Sequence, residues 1–342
     1  MLQTEPGEAA APGHQDGGAH VRQQGIVVDG CRHVASVVTE GLDVRLSDPA
    51  DTQPDGQEDN GWTHSTTASR IPTVGRVVMN EHVQAPQPAY EERPIAGRFA
   101  GKNVIVTGAG SGIGRAVALR IAREGGSVVA ADWDGGRLEA LAAEHPDLGF
   151  VTVQGDISSQ EDVDRIVAAS GGRVDSLANV AGVMDRFQPV GEVTDEIWER
   201  VFRVNVWGLM RMTRAVVPMM VAAGGGSVVN VASVAGLIGA AAGAAYTASK
   251  HAVVGITRNT AFMYAPDNIR CSAVCPGGVQ TNIGGDFASN LALARLGPRM
   301  QVVVPPIAQP EELAALISYL LSDDAPNVNG AIMPSDGGWT AS

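Results

Sequence analysis

From Phe99 onward, short apolar runs alternate with longer segments of helical periodicity. The apolar runs are continuous and rich in β-branched residues, which indicates strands that are buried on both faces. Such strands are typical of a parallel sheet covered by helices on both sides, so the alternation predicts a doubly wound α/β fold with right-handed crossovers. Seven strands are predicted, at residues 103–108, 127–132, 150–156, 176–182, 226–233, 269–277 and 331–337.

The first 95 residues lack this alternation. They are rich in Gly, Pro, Gln, Asp and Thr, and their short apolar patches are too isolated to build a core. We therefore expect a disordered extension over residues 1–95 and one folded domain over residues 96–342. A small partner-binding element is the alternative for the extension. Met79 is a candidate chain start, in which case residues 1–78 are a dispensable tail or an over-extended gene model.

Charge is spread unevenly over the 342 residues, whose formal net charge is −13. Residues 1–94 carry 14 acidic and 6 basic side chains, and residues 95–342 carry 23 and 18, so the folded part is only mildly acidic. A nucleic-acid partner would need a basic face and is therefore not expected. The composition, with 44% hydrophobic and 18% charged residues, suits a globular protein with an Ala/Val/Gly-rich core.

Three cysteines and one long uncharged window bear on compartment and membrane. An odd, sparse cysteine count predicts no disulfide framework and favours the reducing cytoplasm. Cys271 and Cys275 lie close together, but no second ligand pair is present, so no metal site is expected. Residues 215–249 hold no charge, yet Pro218, three glycines and Asn230 interrupt them, which indicates a helix end, a turn, a strand and a loop rather than a membrane span. The chain start lacks the pattern of a signal peptide.

A glycine turn follows the first predicted strand and opens an amphipathic helix. Gly108, Gly112 and Gly114 are spaced GxxxGxG, which differs from the common GxGxxG spacing. The physical effect is the same, because glycines let the backbone approach a pyrophosphate while the helix N-terminus supplies free N–H groups. A tight βα corner without a ligand is the alternative interpretation.

Acidic residues at the ends of the next two predicted strands indicate which dinucleotide is favoured. Asp132 ends the second strand, 18 residues after Gly114, where a carboxylate hydrogen-bonds the 2′-hydroxyl of an NAD ribose and repels a 2′-phosphate. The nearest arginine, Arg137, is five residues on, which favours NAD(H) over NADP(H). A turn or helix-cap role for Asp132 is the alternative. Asp156 and Ile157 follow the third strand, where they are expected at the adenine edge.

Tyr246 and Lys250 are four apart and share one face of a predicted helix. Lys250 is one of only two lysines in the chain, against 22 arginines. A free phenol, with a pKa of about 10, is a poor base at neutral pH, but a neighbouring ammonium lowers such a pKa by about 1–3 units. A nicotinamide cation would supply part of the remaining shift. A buried tyrosine and a lysine reaching solvent are the alternative.

Two polar residues stand near this pair. Ser233 comes thirteen residues before Tyr246, at the end of the fifth strand, where its hydroxyl would help to grip a substrate oxygen. Asn205 is a polar amide among apolar neighbours in a predicted helix, suited to holding a water or a local helix distortion. A strand-end serine and a capping or buried, satisfied asparagine are the structural alternatives.

Together these residues resemble the short-chain dehydrogenase/reductase family. The resemblance covers roughly residues 98–341 and rests, in chain order, on TGAGSGIG (107–114), NVAG (179–182), Asn205, Ser233, YTASK (246–250) and PGGVQT (276–281). One departure is Val180, where many members carry a second asparagine; it puts the contacts after the fourth strand in doubt and leaves the chemistry intact.

The resemblance implies a Rossmann-type fold that binds NAD(P), with Asn205, Ser233, Tyr246 and Lys250 as the catalytic set. Tyr246 would be the acid/base, Lys250 would bind ribose and lower the tyrosine pKa, Ser233 would orient the substrate, and Asn205 would hold a proton-relay water. The family commonly forms tetramers, with helices over 194–223 and 245–264 at the interfaces. The expected cofactor contacts are Gly108, Ser111, Gly112, Ile113, Gly114, Asp132, Asp156, Ile157, Asn179, Tyr246, Lys250, Val279 and Thr281.

The expected substrate is a small alcohol or ketone. Residues 282–312 follow the nicotinamide-binding turn and should cover it with apolar side chains such as Met300, and residues 183–192 should form the other wall. We expect the reversible NAD⁺-dependent oxidation of a secondary alcohol, alicyclic or steroid-like. A 3-oxoacyl-thioester reductase of the acyl-carrier type is the alternative. A non-catalytic nucleotide-binding regulator, with the acidic extension as its interaction module, is an alternative of another class.

Overall fold

The structure is a computed structural model that describes residues 90–284 and 286–341. The predictions for residues 1–89, including disorder, a partner-binding element and a start at Met79, lie outside the described residues. The strands are β1 (Asn103–Thr107), β2 (Ser127–Asp132), β3 (Val151–Gln154), β4 (Ser176–Asn179), β5 (Gly226–Val231), β6 (Ile269–Pro276) and β7 (Ile332–Ser335). The α-helices are α1 (Gly112–Arg123), α2 (Gly135–Glu144), α3 (Gln160–Ala168), α4 (Asp195–Phe202), α5 (Leu209–Ala223), α6 (Ala244–Met263), α7 (Asn290–Val303) and α8 (Pro310–Leu321).

The seven strands form one sheet in the order β3-β2-β1-β4-β5-β6-β7. Every neighbouring pair is parallel, and Val104 of β1 lies opposite Val128 of β2 on one side and Ser176 of β4 on the other. The predicted doubly wound α/β fold with seven strands is therefore confirmed. The strand order reverses between β1 and β4, and ligands bind at such reversals, outside the carboxyl ends of the strands.

Both faces of the sheet are covered, as the continuous apolar runs predict. Val104 and Val106 of β1 pack in one cluster with residues of α1, α2 and α8. Ile105, between them, packs in a second cluster with residues of α3 and α5. Successive side chains of a strand point to opposite faces, so β1 needs apolar residues at its three consecutive central positions.

The uncharged window over residues 215–249 resolves into four pieces. It begins in α5, which ends at Gly224 in the left-handed conformation (φ 84°). It then contains β5 and a short 3-10 helix, Val234–Gly236, and it ends in the first turns of α6. The predicted sequence of helix end, turn, strand and loop is confirmed. Within the described residues, no helix is both long enough and apolar enough to cross a membrane.

Candidate active site

One large cavity lies at the carboxyl ends of the strands. It has a volume of about 1350 Å³ and is lined by residues that follow or end each strand from β1 to β6. Four regions in which the sequence predicts cofactor contacts contribute to it: the turn after β1, the end of β2, the segment after β3 and the turn after β6. The residues expected from the sequence that line it are Gly108, Ser111, Gly112, Ile113, Gly114, Asp132, Asp156, Ile157, Ser233, Tyr246, Lys250, Val279 and Thr281.

The glycine turn after β1 presents backbone to this cavity. Gly108 and Gly112 have positive φ values of 68° and 50°, and a Cβ at Gly114 would overlap the carbonyl oxygen of Gly108. Helix α1 begins here, with Ser111 as its N-cap and no acidic residue in its first turn. A helix N-terminus free of carboxylates and approached through glycine backbone fits a pyrophosphate. This part of the chain therefore fits a dinucleotide.

Asp132 is 5% exposed and is held by two backbone groups. Its carboxylate accepts hydrogen bonds from the N–H of Gly110 at 2.9 Å and of Asp134 at 3.0 Å. A turn role and a ribose role for Asp132 are thus compatible, because each carboxylate oxygen has a further acceptor site. The two bonds fix the carboxylate at the cavity wall.

The structure corrects the position assigned to Arg137. Its sequence distance from Asp132 suggested that it lies apart from the ribose site, yet it lines the cavity. A Cβ at Gly110 would lie 2.7 Å from the Cβ of Arg137 and 3.0 Å from the Asp132 carboxylate. The Nε of Arg137 is paired with Asp134 at 3.1 Å. The turn at the start of α2 brings the arginine back, so the expectation of NAD(H) rests on Asp132 alone.

The expected contacts at the two ends of the cavity differ in exposure. Asp156 is exposed, and its carboxylate accepts the N–H of Ser158 at 2.8 Å. Ile157 is buried, 6% exposed.

At the other end of the cavity, Val279 forms an isolated parallel bridge with Ala308. The methyl group of Thr281 faces Gly112, where a Cβ would lie 2.9 Å from it. The turn after β6 thus closes over the glycine turn.

Asn179 is the one expected cofactor contact that the structure places elsewhere. Its side chain is 3% exposed and does not line the cavity. Its Nδ2 donates to Thr213 at 3.1 Å and to Asn230 at 2.9 Å. Because successive side chains in a strand alternate faces, the last residue of β4 points into the packing against α5. The cavity is lined instead by the following residues, Val180 to Met184.

Tyr246 and Lys250 lie on the face of α6 that borders the cavity. Tyr246 is 7% and Lys250 3% exposed, and the lysine Nζ lies 5.4 Å from the centre of the tyrosine ring. The Nζ donates to the carbonyl of Val231, at the end of β5, at 2.8 Å. Ser233 follows two residues later, and its hydroxyl oxygen accepts the N–H of Ala235 at 3.1 Å. The serine hydroxyl also forms a hydrogen bond with Tyr246.

Burial dominates the ionisation of both groups. It raises the pKa of Tyr246 to about 12, opposed by a hydrogen bond from Ser233 and assisted by the charge of Asp185. It lowers the pKa of Lys250 to about 8, opposed by Cys275. The pKa of Tyr246 is therefore raised in this structure, against the net downward shift expected from the sequence, and the lowering by Lys250 stays a prediction. The sequence spacing shows that the two groups meet, but it carries no information on how far both are withdrawn from water.

Asn205 lies in a π-helical segment, Arg203–Gly208, between α4 and α5. The suggested local helix distortion is therefore present. Its Oδ1 accepts the N–H of Val183 at 2.8 Å, and its Nδ2 donates to the carbonyl of Val183 at 2.9 Å and to Ser249 at 3.1 Å. Asn205 does not line the cavity. The relay water expected there stays a prediction, and the amide visibly fixes the segment after β4.

Two features of this region were not predicted from the sequence. Asp185 is completely buried beside the first turn of α6. An isolated acidic residue in a loop has no periodicity that would reveal its burial. Cys271 and Cys275 are both buried in β6, and burial raises the pKa of their thiols to about 12 and about 11. Among residues 90–284 and 286–341, no cluster of three or more histidine, cysteine or acidic side chains could hold a metal ion.

Known proteins similar to this chain match the described domain. The family model of the short chain dehydrogenases matches residues 102–292. A short-chain dehydrogenase/reductase of Talaromyces verruculosus is 42% identical over 250 residues, which are 69% of this chain and 96% of that protein. The 3beta-hydroxysteroid dehydrogenase 2 of Eggerthella lenta is 40% identical over 253 residues, 71% of this chain and 96% of that protein.

Solved structures similar to this chain hold nicotinamide dinucleotides of both kinds. A 3-ketoacyl-(acyl-carrier-protein) reductase from Brucella melitensis, in complex with NADH, has a TM-score of 0.63 and 33% identity over 70% of this chain and 99% of that chain. A protein of Beutenbergia cavernae with bound NADP has a TM-score of 0.64 and 35% identity over 72% of this chain and all of that one (100%). A nicotinamide dinucleotide is thus the cofactor of such relatives, as NAD(H) or as NADP.

The buried Lys250 contributes stability that increases with pH above about 8, whereas the raised pKa values of Cys271 and Cys275 act in the opposite direction and cancel in a comparison with Lys250→Met. Its pKa is about 8 in the folded protein and 10.5 in the unfolded chain, so between these values the unfolded chain holds a proton that the folded chain has lost. Relative to Lys250→Met, the wild type should gain about 2 kcal/mol of unfolding free energy from pH 8 to pH 9.5, at about 1.4 kcal/mol per unit. Urea unfolding across this range measures the gain.

This range avoids the opposite contribution of Tyr246, whose pKa rises from 10.0 to about 12 on folding and which lowers stability only above pH 10. Lys102→Met controls for the loss of a lysine at the surface, where Lys102 pairs with Asp323. Wild-type and Lys250→Met curves that run parallel from pH 8 to pH 9.5 would contradict the prediction.

Proposed function

This chain belongs to the short-chain dehydrogenase/reductase family, and on that premise we propose that it interconverts a secondary alcohol and its ketone with NAD(H). One observation carries the proposal: Ser233, Tyr246 and Lys250 line the same cavity as the glycine turn and Asp132. A single space thus offers both a dinucleotide cradle and an acid/base group. A non-catalytic regulator would not need the acid/base group.

The cofactor-binding residues divide along the cavity. The N-terminus of α1 would take the pyrophosphate, and Asp132 the adenosine ribose. Lys250 would hold the other ribose, with the turn that carries Val279 and Thr281 near the nicotinamide. When bound, the nicotinamide ring accepts the hydride from the alcohol carbon or donates it to the ketone. We favour NAD(H), because the carboxylate of Asp132 is fixed where a 2′-phosphate would meet like charge.

The protein's own residues move the proton. In alcohol oxidation the phenolate of Tyr246 takes the proton of the substrate hydroxyl, and in ketone reduction the phenol gives it back. Ser233, whose hydroxyl is bonded to Tyr246 in the structure, would donate its hydrogen bond to the same substrate oxygen. The ammonium of Lys250 favours the phenolate electrostatically, and burial in a low dielectric strengthens that attraction. Asn205 is proposed to hold a water that carries the proton onward.

An alicyclic or steroid-like alcohol is the substrate class that we propose. Tyr246 belongs to an apolar cluster that includes Trp339, with Met184 and Met300 packed against it. Met184 comes from the segment after β4 and Met300 from α7, the two walls expected from the sequence. The similarity to a 3beta-hydroxysteroid dehydrogenase supports this class. A 3-oxoacyl thioester is the second candidate, because the similar 3-ketoacyl reductase holds NADH and an NAD(H) preference does not count against it.

We also propose a cytoplasmic homotetramer. The two expected interface regions, 194–223 and 245–264, expose large apolar side chains: Trp198 and Trp207 in the first, Phe262 and Met263 in the second. Such side chains on a surface favour burial against another chain. Sedimentation at micromolar concentration should give the mass of four chains, and a monomer would contradict the assembly.

Tyr246→Phe tests the acid/base assignment. It removes the proton-transferring oxygen and leaves the ring in its apolar cluster, so kcat should fall at least about a hundredfold in an NAD⁺-coupled assay with a panel of alicyclic and steroid alcohols and 3-hydroxyacyl thioesters. NADH binding, followed by fluorescence, should stay within about twofold. Tyr264→Phe is the matched control at the half-exposed end of α6. Retained turnover in Tyr246→Phe would refute the assignment, and an inactive wild type across the panel would favour the regulator.

Asp132→Asn tests the cofactor preference. The amide keeps a hydrogen-bond acceptor for the turn and loses the negative charge, so the ratio of kcat/KM with NADH to that with NADPH should fall at least about tenfold. Asp147→Asn makes the same charge change at an exposed site outside the cavity. A wild type that prefers NADPH, or an unchanged ratio in Asp132→Asn, would show that another residue selects the cofactor.

A further inference from the structure

A buried carboxylate caps the helix that carries Tyr246. Asp185, in the segment after β4, is 0% exposed. Its oxygens accept the N–H of Tyr246 at 2.8 Å, of Gly243 at 3.2 Å and of Phe187 at 3.0 Å. The first N–H groups of a helix need partners, and Gly243, the N-cap of α6, has no side chain to supply one. A carboxylate there also matches the positive end of the helix dipole.

Asp185 and the first turn of α6 are closely packed. A Cβ on Gly243 would lie 2.5 Å from Oδ2 of Asp185 and 2.5 Å from the nitrogen of Gln188. Ala244 donates its N–H to the carbonyl of Gln188 at 2.8 Å. The segment after β4 is thus bonded to the first turn of α6 through both a side chain and the backbone. A shift of one would move the other.

The same segment holds strained backbone and reaches the substrate wall. Arg186 and Phe187 have φ values of 57° and 61°, a left-handed conformation that costs non-glycine residues about 1–2 kcal/mol each. The bond from Phe187 N–H to Asp185 stabilises this turn. Phe187 stacks on Phe287 with ring centroids 4.3 Å apart, and Ala288 donates to the carbonyl of Arg186 at 3.1 Å. Asp185 therefore joins the catalytic helix to the segment after β6.

We propose that Asp185 is a positioning residue for the reaction, which fixes the place of the Tyr246 phenol through the first turn of α6 and sets the electrostatic field at it. The inference rests on the proposed function, in which Tyr246 transfers the proton. Asp185 does not line the cavity, so it acts on the substrate only through the helix that it caps.

The field of Asp185 opposes ionisation of the tyrosine. After burial and the hydrogen bond from Ser233, the charge of Asp185 is the next influence on the pKa of Tyr246, and it raises that pKa. The other charged groups nearby are Lys250, one turn along α6, and Arg200 of α4, which bonds the carbonyl of Met184. Cys275 of β6 faces Lys250 in turn. Removing the Asp185 charge leaves these groups in place and makes the phenolate easier to form.

The experiment follows the Tyr246 ring directly. The full chain is labelled with ¹³C at the tyrosine ring, and the Tyr246 signal is assigned by its absence in Tyr246→Phe. In Asp185→Asn its titration should move to lower pH by about one unit, because a nearby like charge has been lost. Asp185→Ser removes the same charge and keeps one acceptor, and the shift should have the same direction. The two variants guard against a folding defect specific to either.

Kinetics then separate positioning from folding. In Asp185→Asn, kcat should fall about tenfold because the phenol is less well aligned, the rising limb of the oxidation pH profile should move to lower pH, and the NADH dissociation constant should stay within about twofold. Thr194→Ala removes the N-cap of α4, whose hydroxyl accepts from Ile197. That control should destabilise the fold without moving the Tyr246 titration or the pH profile.

Two results are decisive against or for the inference. An unchanged Tyr246 titration in both Asp185 variants, with a stability loss like that of Thr194→Ala, would reduce Asp185 to an ordinary helix cap and overturn it. If the wild type turns over no alcohol while the titration still shifts as expected, the proposed function fails and the control of Tyr246 by Asp185 stands.

Discussion

The withdrawal of the Lys250 ammonium from water is the constraint on which the site depends. A buried ammonium is unfavourable unless it finds partners, and here the carbonyl of Val231 accepts its hydrogen bond. That bond requires α6 to cross the end of β5 closely. Gly236 permits the approach, since a Cβ there would lie 2.8 Å from the Lys250 carbonyl oxygen.

This constraint also sets the electrostatics of the pair. Burial favours the neutral form of both groups, since it raises the pKa of Tyr246 to about 12 and lowers that of Lys250 to about 8. Phenolate and ammonium therefore support each other only as a pair, because each alone in this environment carries the full desolvation penalty. A site built in this way resists ionisation until a charged or polar ligand shares the space. The Asp185 carboxylate strengthens that resistance from the start of α6.

The sequence was informative where the information is local. Continuous apolar runs predicted all seven strands, and the spacing of four placed Tyr246 and Lys250 on one face of a helix. It failed where side-chain direction and burial depend on distant packing. The side chain of Asn179 faces α5 because of its position within β4, and Arg137 lines the cavity beside Asp132 because the chain turns back at the start of α2. The direction of the Tyr246 pKa shift depends on how deeply the phenol is buried, and the spacing of residues along the chain does not give that burial.

The π-helical segment Arg203–Gly208 accommodates one residue more than a regular helix would over the same length. Each residue turns an α-helix by about 100°, so this extra residue rotates the part of the helix that follows it relative to the part before it. Deleting one residue there would give a more regular helix and at the same time rotate Asn205 away from Val183. The shorter helix would be more regular, but it would lose the bonds from Asn205 that hold the segment after β4. The irregular geometry of the helix is thus what holds Asn205 against Val183, the contact that fixes the neighbouring segment.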